Sequence, residues 1–358
     1  MKKIIVLIFF IFILPESGFL QNARNIDSLR RELKTFQIRK THMGQDPSSL
    51  TDSTTANILD GLALEYLNFN LDSAMIFARE EFLLSENTGF RKGIANACIS
   101  MGKILHTQGD LNQAMEYYQK SLKISEDIGY TKGIGNIRLS IGTIYYNEDV
   151  YPEALTNFNI SLKIFTETRD KVGMARAYWN IGTVYAAQRK FLSALNFITT
   201  GLKIFESQGM KESIANSYYS LGTITMLMGN YSESLNYCFT ALKFRESTLK
   251  NTDGVADIYL LIGQVYEKKG QLQEAFSYES KGLSMVQATG NKVLLRKAYA
   301  NLASVFYRLG KYQTAYDHEV LYQQLDDSLY SRESSAGWRQ CRCSMNLIKK
   351  HRPIAYSV

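Results

Sequence analysis

Residues 178–198 read YWNIGTVYAAQRKFLSALNFI, and the pattern in that stretch returns along the chain at a fixed interval. Its marks are Tyr178, Ile181, Gly182, Tyr185, Ala194 and Ile198; Tyr259, Ile262, Gly263, Tyr266 and Ala275 repeat the spacing. Gly102, Gly142, Gly182 and Gly222 follow one another every 40 residues, Gly263 comes after 41, and Ala303 after 40 more. A second series runs in step twelve residues later: Ala114, Ala154, Ala194, Ser234, Ala275 and Ala315, with Ala74 one period upstream. A unit of this size cannot bury its apolar face alone. Copied head to tail, it stacks on its neighbours and builds a solenoid.

Each recurring position has a physical reading. The small residue of the first helix lets the second helix come close, and Ala114, Ala154 or Ala194 is the matching notch. Tyr145 and Tyr185 are expected to fill the space between neighbouring pairs. Gly109, Gly229, Gly270 and Gly310 suit the left-handed residue that ends a helix. Gly93, Gly133 and Gly173 read as a further turn series, which removes Gly133-x-Gly135 as a phosphate loop, since no strand precedes it. The chain has four prolines, and the one inside the repeats, Pro152, falls near the first turn of a second helix, where its missing N–H costs nothing.

The unit resembles the tetratricopeptide repeat: a large residue, a glycine, then Tyr, with Ala nine residues beyond. The resemblance covers about residues 55–330. It implies an all-α fold, a right-handed superhelical solenoid of about seven helix pairs. The family unit has 34 residues and a proline near its end; this one has 40 and lacks the proline. The extra residues are expected to extend the second helix and its turn, through Ser121–Asp127 and Ser161–Thr168. The one further residue between Ser234 and Gly263 is expected near Thr248–Thr252. Forty-residue versions resemble the sensory region of bacterial membrane-bound signalling proteins of this family.

The ends differ from the body. Lys2-Lys3, an apolar run from Ile4 to Leu14 and then Pro15-Glu16-Ser17-Gly18 read as a secretory signal in residues 1–20, too short for a comfortable membrane span. An uncleaved anchor is the alternative. Residues 21–54 read as an N-terminal cap, with a short amphipathic helix over Asp27–Phe36 (Leu29, Leu33, Phe36) and a polar loop over His42–Thr55. The solenoid occupies 55–330, and 331–358 is an irregular tail. That tail is either a basic extension or sequence read in a shifted frame. One permitted codon choice for Trp338–Lys350, read from its third base, gives a polar segment resembling the one that follows the last repeat in membrane sensors.

The net charge of +7 is uneven: residues 1–21 carry +1, residues 331–358 carry +5, and the body between them +1. A nucleic-acid binder needs a basic stripe on its folded surface, so no nucleic-acid partner is expected. Cys98 and Cys238 read as buried thiols, and the Cys341-x-Cys343 pair has no ligand partners at metal spacing. His42, His106, His318 and His351 are likewise unpaired in spacing. No catalytic residues, metal or cofactor are expected.

In the resembled family the first helices line a concave groove. Carried over by position, the groove set is Asn136, Arg176, Trp179, Asn180, Asn216, Tyr219, Lys297 and Asn301, with Asn96, Lys103 and Asp257 beside them. Amides can bond a peptide backbone, Arg a carboxylate, and aromatic rings offer apolar area. The residue after the repeat glycine is Thr143, Thr183 and Thr223 in the middle repeats, so the Lys/Asn clamp some members use for C-terminal carboxylates is not reproduced. The function expected is an exported, non-enzymatic scaffold that binds a protein or peptide as the sensory part of a signal transducer. The repeats would be periplasmic or secreted, or membrane-anchored outside the cytoplasm. A freestanding periplasmic assembly factor is the runner-up, and a nucleic-acid-binding regulator comes third.

Overall fold

A computed structural model describes residues 26–35, 49–67, 70–248 and 252–329. The signal-like segment and the tail lie outside the described residues. Fifteen helices follow one another in the described residues, α1 (26–35) standing before seven pairs. The pairs are α2 (Ser49–Tyr66) with α3 (Leu71–Thr88), α4 (Arg91–Gln108) with α5 (Leu111–Asp127), and α6 (Thr131–Asn147) with α7 (Tyr151–Glu167). Then come α8 (Lys171–Ala187) with α9 (Phe191–Ser207) and α10 (Lys211–Leu227) with α11 (Tyr231–Thr248). The last are α12 (Thr252–Lys268) with α13 (Leu272–Thr289) and α14 (Lys292–Arg308) with α15 (Tyr312–Leu329). The chain is an all-α helical repeat solenoid.

Both connections of the unit are built alike. A left-handed residue follows each helix from α3 to α10 and from α12 to α14: glycine at Gly89, Gly109, Gly129 and Gly209, for example, but Asp149, Arg169 and Arg189 in the middle repeats, at φ 57°, 56° and 58°. The next N–H then reaches back to close the helix end, as from Asp110 to the Leu105 carbonyl (2.9 Å), Val150 to Tyr145 (2.8 Å) and Lys190 to Tyr185 (2.9 Å). The 40-residue unit is therefore two 20-residue halves, each a helix and a turn. α6, α7, α8 and α9 have 17 residues each. The odd residue of the fifth unit lengthens α11 to 18; residues 249–251 lie outside the described residues.

The repeat glycines are contact points. A Cβ on Gly102 would stand 2.5 Å from the Tyr118 ring, on Gly142 2.5 Å from Phe158, and on Gly182 2.5 Å from Ile198. The large residue comes sixteen positions after the glycine, on the second helix. In the first pair the sizes are exchanged: Leu62 stands in the glycine position and Ala78 faces it, both fully buried. Overpacking a site of this kind costs about 1–3 kcal/mol.

Two expectations need correction. Gly93, Gly133 and Gly173 are not in turns. They lie buried in the first turns of α4, α6 and α8, and a Cβ there would sit 2.2–2.4 Å from Ser85, Tyr130 and Phe165. They are small to admit those side chains. Helix α2 starts at Ser49, within the stretch expected as loop; Asp52 in its first turn favours that start through the helix dipole. Tyr185 stacks on Phe197 at 5.3 Å and packs against both the cluster around Phe158 and the one around Ile198.

The core is a chain of clusters along the array. One gathers Tyr118, Ile144, Phe158 and Phe165 between α4 and α8; others around Ile198 and Phe205, and around Ile258 and Ile262, continue it. At the N-terminal end Ile26 is buried, and Leu29 and Leu33 of α1 pack against the cluster that holds Leu59 and Leu62. Among the described residues, each first helix touches the first helix of the next pair, from α2 with α4 to α12 with α14, and no second helix touches the next second helix. The first helices therefore line the inner, concave side.

Candidate functional site: the concave face of the first helices

One position, six residues before the repeat glycine, marks the groove. From the second pair onward it is Asn96, Asn136, Arg176, Asn216, Asp257 and Lys297. The structure divides this row into two halves.

In the N-terminal half Asn96 is bonded to the Tyr130 hydroxyl, and the side chains that follow it are less committed. Asn136 is half-buried on α6, and among the described residues neither it nor Lys103 on α4 nor Arg176 on α8 has a side-chain hydrogen-bond partner. Arg176 is solvent-accessible, yet desolvation pushes its pKa down, with Asp170 opposing. Accessible and desolvated together describe a side chain reaching into a concavity. Desolvation also lowers the Lys103 pKa; Arg176 pushes the same way and Asp60 opposes. Asp60 is itself engaged, accepting the Ser100 hydroxyl at 2.8 Å.

The neighbouring candidates are tied locally. Asn180 Nδ2 donates to the Arg176 carbonyl at 2.9 Å. Trp179 packs on the cluster around Ile198 and Leu202, and its indole N–H is buried without a partner. Asn216 Oδ1 accepts from Arg245 Nη2. Arg245 comes from a second helix and is buried, filling the slot that Phe165 and Phe205 take in earlier pairs. Gly254 makes room for it, since a Cβ there would meet the guanidinium at 2.5 Å. Position alone missed Arg245 because only first helices were expected in the groove. The pairing of an Arg in an aromatic slot with a following glycine was the available signal.

In the C-terminal half the same face is internally bonded. Lys297 Nζ donates to Asp257 Oδ1 at 2.7 Å and to the Tyr219 hydroxyl at 3.0 Å, so one side chain ties α14 to α12 and α10. Burial would lower the Lys297 pKa, but Tyr219 and Asp257 outweigh it and the net shift is up. Burial pushes Tyr219 up to about 12. Asn301 is spent at both ends: its Oδ1 accepts from Gln264 at 2.8 Å, and its Nδ2 donates to both Glu279 oxygens at 2.9 and 3.1 Å. Glu279 is fully buried against Gly263, and burial holds its carboxyl well above the usual range. Ser304 and Arg308 both bond Glu267.

The thiols of Cys98 and Cys238 are buried, and burial pushes them up to about 11 and about 12, which leaves them unreactive. Among the described residues no group of three or more His, Cys, Asp or Glu side chains could hold a metal ion, and no helix is long and apolar enough to cross a membrane.

Comparison with known proteins supports the fold directly. Sequence models described as Tetratricopeptide repeat match residues 95–128, 133–207 and 213–288, together just over half of the chain. No curated protein matches it. Among solved structures, a Rap protein complexed with Competence and Sporulation Factor is 15% identical, with 92% of this chain and 98% of that one covered at a TM-score of 0.54. Aspartyl phosphate phosphatase F from Bacillus subtilis is 12% identical over 88% of this chain and 95% of that one, at 0.52. A signal transduction ATPase with a tetratricopeptide repeat sensor, from Pyrococcus horikoshii, is 15% identical over 81% of this chain and 45% of that one, at 0.54. At these identities the likeness is one of fold. With the repeat matched along most of the helix pairs and the solenoid complete from α2 to α15, the chain belongs to the tetratricopeptide repeat family.

Proposed function

We propose that this protein is a non-enzymatic scaffold that binds a protein or an extended peptide along its concave face. One observation carries the reading: Lys103, Asn136 and Arg176 stand on consecutive first helices with no side-chain hydrogen bond or ion pair among the described residues. Polar groups left unpaired in a concave, partly desolvated space are suited to a ligand that completes them. The complex of a similarly folded Rap protein with Competence and Sporulation Factor is a precedent for such a use of the fold. The export signal read in residues 1–20 places the repeats outside the cytoplasm, periplasmic, secreted or anchored, as the sensory part of a signal transducer. That placement rests on the sequence alone.

Capture from an envelope extract tests the binding reading. The full chain, tagged at its C-terminus, should retain a partner that Asn136→Ala and Arg176→Ala release, with helical content unchanged by circular dichroism. Retention unaltered by both substitutions rejects the groove. Fractionation of cells expressing the tagged chain tests export, and a wholly cytoplasmic product rejects it.

A further inference from the structure

A surface outside the groove departs from the repeat in one place. The short turns make the helices of each pair antiparallel, so the turns that join first to second helices all lie along one edge of the array. On that edge Leu192, near the start of α9, is 76% exposed, and Leu227, the last residue of α10, is 54% exposed. Elsewhere these two positions are mostly polar: Asn112, Ser232 and Gln273 match Leu192, and Thr107, Asn147 and Lys268 match Leu227. Helix α9 packs on α10 and runs against it, which brings the start of one and the end of the other to the same edge.

The edge changes sign on either side of these leucines. Upstream, the turns of the second and third pairs carry Asp110, Glu148, Asp149 and Glu153 and no Lys or Arg. Asp110 is spent on capping α5 through the Gln113 N–H at 3.0 Å. Asp149 accepts the Tyr151 hydroxyl at 2.6 Å, and neither it nor Glu148 forms an ion pair among the described residues. Burial, and after it Asp149, pushes the Glu148 pKa up, as expected where no cation is near. Downstream, the turns of the sixth and seventh pairs carry Lys268, Lys269, Arg308 and Lys311. The acids beside them are occupied: Glu267 bonds Ser304 and Arg308, and Glu274 bonds Gln271. Lys268 and Lys269 are exposed and form no ion pair among the described residues.

We propose that this edge joins two copies of the chain in an antiparallel, two-fold symmetric pair. Leu192 and Leu227 of both copies meet at the axis, and Glu148 and Asp149 of each copy face Lys268 and Lys269 of the other. An axis between the fourth and fifth units sets the third unit of one copy against the sixth of the other, where the signs are opposite. A parallel pairing would set acid against acid. A two-fold contact requires a patch complementary to itself, and this edge has that property in one register. The apolar centre supplies area to bury, and the charges on either side fix the register. The concave face stays open in such a pair, so the association is independent of the groove.

Sedimentation equilibrium of the full chain tests the pair and should show monomer and dimer in exchange. Leu192→Ser with Leu227→Asn should weaken the dimer about tenfold or more. Both replacements are residues that the repeat uses at those positions, in Ser232 and Asn147, so the fold is kept. Charge exchange reads the register. Glu148→Lys with Asp149→Arg in one chain, and Lys268→Glu with Lys269→Glu in another, should each self-associate about tenfold more weakly. Mixed in equal amounts, the two variants should form a heterodimer about as tight as the parent pair, because each altered patch then meets an opposite one. Asp149→Arg preserves the turn, since Arg189 holds the same place in the next unit at φ 58°.

A chain that stays monomeric up to about 1 mM overturns the pair. Association indifferent to both leucine changes, as joining through residues 1–20 would be, overturns it as well. Weakening in both charge variants with no recovery on mixing overturns the antiparallel register. Leucine-dependent sedimentation of a monomeric chain with vesicles of phosphatidylcholine and phosphatidylglycerol assigns the patch to a membrane surface and overturns the pair.

Discussion

Arg176 and Lys297 hold the same place in the repeat, three units apart, and meet opposite surroundings. Lys297 is answered by Asp257 and Tyr219 from the two preceding first helices. Arg176 forms no ion pair among the described residues; Asp170 acts on it from a distance, and it in turn lowers Lys103, another cation. The fold is common to both halves, so the difference lies in the residues of one row. A repeat array can thus brace one stretch of its inner face and leave another open without any change of backbone. Stability and recognition are separable along such a chain, because each unit packs mainly on its neighbours.

The sharpest way to probe this contrast uses two buried glutamates, one in each half. Glu81 on α3 is fully buried with both oxygens unpartnered, and burial, with Asp60 adding, pushes it up to about 10. Glu279 is equally buried but bonded to Asn301. A carboxyl whose folded pKa is raised loses stability as pH rises from the ordinary value near 4.5 toward the folded one. Raising pH from 5 to 8 should therefore weaken the first two pairs by up to about 1.4 kcal/mol per pH unit. Hydrogen exchange of α3 and α4 should follow that slope, and Glu81→Gln should flatten it. A slope unaffected by the substitution would refute the assignment.

A smaller effect is expected from the brace. Lys297→Met leaves Asp257 and Tyr219 without their donor and should cost about 1–3 kcal/mol, seen as faster exchange in α14 with α4 unchanged. Smallest of all, Lys103→Met removes a desolvated charge beside another cation. Denaturant titration should show stability within about 0.5 kcal/mol of the parent, or slightly above it. A loss as large as that of Lys297→Met would mean that Lys103 is also part of a brace, and the two halves would not differ.

The fold was legible because its signal is collective. Seven copies in step fix helix pairs, notches and turns, and the structure places Tyr118, Phe158 and Ile198 on the glycines that the pattern singles out. What misled was local: Gly93, Gly133 and Gly173 share a residue type with the turns but serve packing. Groove membership could be read from position, since first helices do face inward. Which members are open could not, because that depends on partners 29 to 78 residues away, such as Arg245 for Asn216 and Lys297 for Tyr219. No spacing rule within one unit contains those pairs.

The equality of the two turns has a consequence for how the chain finds its register. A backbone built from identical 20-residue halves offers every helix two acceptable partners, one before it and one after. A slip by half a unit would keep every hydrogen bond of the turns. It would, however, exchange the seats of the knobs and notches. Where Gly142 receives Phe158, the slipped pairing sets Leu162 against Tyr178; where Gly182 receives Ile198, it sets Leu202 against Tyr218. Two large side chains would contend for a space sized for one. The glycines thus act as a reading mark that tells first helices from second while the array assembles.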